Sequence, residues 1–75
     1  MLETTVLFVK PGFGRWHVTE EGYEKSLAFF SSEDEALSYA IAFGRTKPGA
    51  VVRVLDERGD VQHELNIEMG PPTVS

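Results

Sequence analysis

Phe30–Gly44, FSSEDEALSYAIAFG, is the one stretch of this chain with a complete helix grammar, and it limits what the other residues can be. Ser32 with Glu35 three residues on forms a capping box, and Ser31 with Asp34 offers the same geometry one residue earlier. Glu33, Asp34 and Glu35 place negative charge in the first turn, where it complements the helix dipole, while Arg45 and Lys47 flank the other end. Leu37, Ala40, Ile41 and Gly44 recur at the spacing of one helical face, and Ala36 and Phe43 widen that stripe. Gly44 is read as a left-handed terminator, and Pro48-Gly49 stops any continuation. A lone amphipathic helix must bury its stripe against something else. Everything else here reads as strand.

Thr4–Lys10 is β-branched and aromatic and ends at the turn chemistry of Pro11-Gly12-Phe13-Gly14. Arg15–Glu20 alternates, with Trp16 and Val18 on one face and Arg15, His17 and Thr19 on the other. A turn at Glu20–Tyr23 leads to a third short strand, Lys25–Phe30, whose Leu27 and Phe29 share a face by simple parity and are expected, with Trp16 and Val18, to be buried beneath the helix as its lid. Ala50–Leu55 and Val61–Ile67 follow the helix, joined by the five-residue hairpin loop Asp56–Asp60, with Gly59 available where positive φ is needed. In the last strand Val61, His63, Leu65 and Ile67 fall on one face. The order β-β-β-α-β-β implies a single-domain α+β fold, mainly antiparallel, with one helix packed on one face of the sheet. Keeping every pairing antiparallel gives the strand order 3-2-1-5-4, with a parallel neighbour contact left open as the alternative. The domain is expected to span residues 1–69, with 70–75 as a flexible C-terminal tail.

The chain has 75 residues and no cysteine, so one core without disulfides or thiolate metal sites must suffice. Packing, dimerisation or both have to supply the stability. Twelve acidic against seven basic residues give a net charge of -5, which repels polyphosphate unless the basic residues are segregated on one face. Duplex nucleic acid is therefore disfavoured. The N-terminal residues lack a basic leader region and a long apolar run, so neither a signal peptide nor a membrane span is expected, and a cytoplasmic location follows as the default.

Val9-Lys10-Pro11, Gly14-Arg15-Trp16-His17-Val18, Glu21-Gly22, Phe30-Ser31-Ser32 through Glu35-Ala36, Ala40, Ala42 and Arg58-Gly59-Asp60-Val61 together resemble a family of short bacterial domains of unknown function. That pattern has a proline-ended first strand, a Gly-Trp-x-Val strand, a phenylalanine before a capped Ala-rich helix, and a closing hairpin with Asp/Glu-x-Gly-x-Ile/Val. The chain departs from it by inserting Arg15 between Gly14 and Trp16 and by a longer, more hydrophobic final strand. The resemblance implies a fold and brings no catalytic residue.

His17 and His63 are the residues suited to acid–base or metal chemistry. They lie on different strands, and His63 shares the Val61–Ile67 face, where an edge or interface histidine is the simpler reading. Asp56–Asp60 lacks the ligand spacing of a calcium loop, Gly12-Phe13-Gly14 opens no helix and so makes no phosphate cradle, and the serines stand in no nucleophile turn. No catalytic residue, cofactor or metal is assigned, and an enzyme is not expected. The residues expected to meet a partner are Phe13, Arg15, His17, Lys25, His63, Leu65 and Ile67. Two readings use them. One is a protein-interaction module working through a sheet face or free edge, with self-association included. The alternative is single-stranded nucleic-acid binding at basic and aromatic turns formed by Lys10, Phe13, Arg15 and Lys25.

Overall fold

A computed structural model of the chain describes residues 4–68; the tail expected at 70–75 lies outside them. Five strands and one helix follow in the anticipated order: β1 (Thr5–Gly12), β2 (Arg15–Glu20), β3 (Ser26–Phe30), α1 (Glu33–Gly44), β4 (Gly49–Leu55) and β5 (Val61–Glu68). They form an α+β fold, in which a single five-stranded sheet carries α1 on one face.

The strand order is β3-β2-β1-β4-β5 and not the all-antiparallel 3-2-1-5-4. β4 lies parallel to β1, from Thr5 beside Ala50 to Val9 beside Val54, while the other pairings are antiparallel. Burial decides between the two orders. Ala50, Val52 and Val54 of β4 are buried, whereas β5 alternates its apolar residues with Gln62, Glu64, Asn66 and Glu68 and is exposed along nearly its whole length. The centre of the sheet takes the strand that can lose its water on the helix face, and the polar strand takes the edge.

β1 also runs two residues further than its turn chemistry suggests. Pro11 pairs with Trp16 but lies beyond the last β1–β4 pair, Val9 with Val54. Its missing N–H therefore breaks no ladder bond on that side.

Ser32 is the N-cap, in extended conformation, with its hydroxyl accepting the Glu35 N–H. The hydroxyls of Ser31 and Ser32 both donate to the Glu35 carboxylate, so the second serine supports the first. The buried line of the helix is Ala36, Ala40 and Gly44, four residues apart, with Leu37 on one flank and Tyr39 and Phe43 on the other packed at the core margin. Small residues in the contact line let the backbone approach the sheet over Leu7, Val9, Val18, Val52 and Val54.

Gly44 is not the left-handed terminator expected. The residues with positive φ are Phe13, Gly14, Gly22 and Gly59, and the helix ends instead through Arg45, whose N–H reaches the Ile41 carbonyl. Gly44 is required for space: a Cβ there would lie 3.1 Å from the Ala50 Cβ and 3.4 Å from Ile67 Cγ2. Phe29, expected beneath the helix, faces the other way. A register shift between Val18 and Thr19 breaks the parity of β3, so that Ala28 and Phe30 pair with Val18 and Trp16 while Phe29 pairs with His17. Phe30 takes the place under the helix, its ring 5.3 Å from that of Tyr39.

Candidate interaction surfaces

Because α1 covers one face, the opposite face of the sheet is open. Strand alternation assigns it Val6, Phe8, Lys10 and Gly12 from β1, Arg15, His17 and Thr19 from β2, and Phe29 from β3. β4 and β5 add Val51, Arg53, Leu55, Glu64, Asn66 and Glu68. The pairings place Phe29, His17 and Lys10 in one row across three strands, and Thr19, Phe8, Arg53 and Glu64 in the next.

His17 is held firmly in the first row. Gly12 O can only accept, so the His17 Nε2–H donates to it at 3.0 Å, and Ser26 Oγ lies 3.4 Å from Nδ1. The Phe29 ring meets the imidazole edge-on at 4.8 Å, and the Arg15 guanidinium sits 5.9 Å from the Phe29 centroid. Gly12 makes room for this: a Cβ there would be 3.3 Å from His17 Nε2. Even so packed, Phe29 remains 50% exposed.

At the end of the face, Phe13 and Gly14 form a two-residue turn between Gly12 and its partner Arg15, with φ of 54° and 74°. Positive φ at both positions is the demand of a type I′ turn, which Asn-Gly meets best. For a bulky residue this conformation costs about 1–2 kcal/mol, and the Phe13 side chain, 99% exposed, gains nothing from burial in return. Packing stability gives no account of this residue. An open cavity of about 530 Å³ lies beside it, lined by Pro11, Arg15, Trp16 and Glu57 among others.

β5 presents the second surface. His63, Leu65 and Ile67 pair with Val54, Val52 and Ala50 and so lie on the helix side. Ile67 reaches the core beside Gly44, but Leu65 is 36% exposed, because the helix lies mainly over β1, β2 and β4; Val61, 52% exposed, pairs beyond a register shift with Leu55 of the open face. On the open side Glu64 accepts from Arg53 Nε at 3.1 Å.

The residues expected at a partner surface thus separate. Phe13, Arg15 and His17 come together, joined by Phe29, which parity had assigned to the core. His63, Leu65 and Ile67 lie on the helix side of β5. Lys25 precedes β3 at the far end of β2 from Phe13, roughly 20 Å away for a six-residue strand, so it does not join the basic turn with Lys10, Phe13 and Arg15. The two histidines are on opposite faces, and among the described residues no group of three His, Cys, Asp or Glu could hold a metal. The Asp56 carboxylate is occupied by its own loop, accepting from the Arg58 and Asp60 N–H groups and from Gln62 Nε2, each at 2.9 Å. Among the described residues no helix is long and apolar enough to cross a membrane.

Comparison with protein-family models finds no match, and neither the curated proteins nor the solved structures give a significant one. The resemblance to short bacterial domains rests on the sequence pattern alone.

Proposed function

We propose that this chain is a non-enzymatic interaction module whose outer strand β5 pairs with a second copy of itself. The observation that carries the reading is the state of that edge: eight residues with, among the described residues, no strand on their outer side, and with Val61 and Leu65 left exposed. A long edge strand with apolar side chains is a template for another strand. The opposite edge, β3, has five residues against the eight of β5 and so offers less strand to pair.

The side chains of β5 favour one register. In an antiparallel pair with its two-fold axis at Leu65, Glu64 of one copy faces Asn66 of the other, and Gln62 faces Glu68. Each carboxylate then meets an amide donor. An axis at Glu64 or at Asn66 would set carboxylates opposite each other, Glu64 against Glu64 or Glu64 against Glu68, which is unfavourable. Leu65 would meet its own copy on the helix side, completing the burial that α1 leaves unfinished.

The absence of cysteine makes the test clean. Directly opposed residues in antiparallel strands lie roughly 4.5–5.5 Å apart between Cα atoms, within disulfide reach. Leu65→Cys is expected to give a covalent dimer under mild oxidation, and Glu64→Cys to cross-link far less, since position 64 faces position 66. Equal cross-linking of both variants, or none of either, contradicts the register and the reading with it.

A further inference from the structure

The acidic composition of the chain argues against a polyanion as partner only if its charges are mixed over the surface, and they are not. On β1 to β4 the ionised side chains of the open face are Lys10, Arg15 and Arg53, all cationic; its carboxylates, Glu64 and Glu68, are confined to β5, where Glu64 takes the Arg53 Nε–H and leaves the terminal guanidinium nitrogens to a ligand. The other acidic residues described lie off this face, in the first turn of α1, in the β2–β3 turn with Glu20 at its start, and in the β4–β5 loop, whose Glu57 lines the cavity beside Arg15 at the end of the face. Between the cations lie Phe8, half-buried, the Phe29 ring, and His17 with its plane fixed by Gly12 and Ser26.

We infer that this open face binds single-stranded nucleic acid, with bases stacking on Phe29, His17 and Phe8 and phosphates lying against Lys10, Arg15 and Arg53. Strands about 4.8 Å apart set rings beside a cation in each of two adjacent rows, Phe29 and His17 with Lys10 and Phe8 with Arg53, the combination that suits a flexible strand with its bases splayed out. A duplex hides its base faces and would leave the rings unused. An acidic peptide would answer the cations but not the rings. The site departs from the turn-based set of Lys10, Phe13, Arg15 and Lys25: Lys25 is lost to distance, and Phe8, His17, Phe29 and Arg53 enter through strand pairing. It is independent of the β5 edge.

The experiment is fluorescence anisotropy of the full chain with labelled oligothymidylate and oligouridylate over a range of salt concentrations. Neutralising two to three phosphates predicts a log–log salt slope between about -1.4 and -2.1. Phe29→Ala is expected to weaken binding roughly tenfold. Lys10→Gln, at an exposed position where folding is not at stake, lowers affinity and makes the slope shallower, whereas Lys47→Gln beyond the end of α1 changes neither. Absence of binding at low salt overturns the inference. So does equal affinity for a duplex or for polyglutamate, or a Lys47→Gln effect as large as that of Lys10→Gln. A difference between the two oligonucleotides assigns the sugar preference without altering the site.

Discussion

Two residues, Gly44 and Phe13, stand where elementary preferences run against them, and each has a different reason. Gly44 is a poor helix former inside the last turn, kept because Ala50 and Ile67 occupy the space a side chain would need. Gly44→Leu is therefore expected to destabilise the domain by about 1–3 kcal/mol through overpacking, read as a lower urea midpoint. An unchanged midpoint would show that the helix end can move away. Phe13 is held in the left-handed region with its ring in water. Phe13→Asn should raise stability by about 1 kcal/mol, seen as a higher Tm. A lower Tm would mean that the ring makes a stabilising contact after all.

At the level of elements, the helix was legible because its signals are local. The Ser32–Glu35 cap and the acidic first turn act within four residues, and the structure reproduces them. Gly44 was misread because its constraint comes from Ala50 and Ile67, on two strands yet to be made. Phe29 was misread because one register shift in β3 cancels parity. The parallel β1–β4 pair stayed open because strand directions allow two orders, and only the unequal polarity of β4 and β5 separates them. Part of the exposed surface was also legible: a phenylalanine in a glycine turn is exposed, and Arg15 follows it. That Lys25 sits far away was also derivable, since the two turns flank one strand and must fall at its opposite ends. Ala40, fully buried in the contact line of α1, tests the lid assignment. Ala40→Asp would place an unpaired carboxylate in the core at a cost of several kcal/mol, enough to unfold a small domain. A folded Ala40→Asp variant, judged by near-UV circular dichroism, would mean that this helix face is not the buried one.

Taken whole, the molecule divides its labour by surface. One sheet face and α1 make the core, and on our reading the open face and the outer edge are where partners meet it. The core is thin: among the described residues the fully buried large side chains are Leu7, Val9, Val18 and Val52. A chain of this size gains much from shared burial, and on our reading β5 pairing supplies it. Edge amides that exchange freely in a monomer become protected when a second strand covers them, which gives a site-by-site readout. Amide hydrogen exchange measured at low and high protein concentration is the most direct measurement. Our account predicts that protection of alternate β5 amides between Gln62 and Glu68 rises with concentration, while that of β1 and α1 changes little. Concentration-independent exchange along β5, with the protein monomeric throughout, would contradict it.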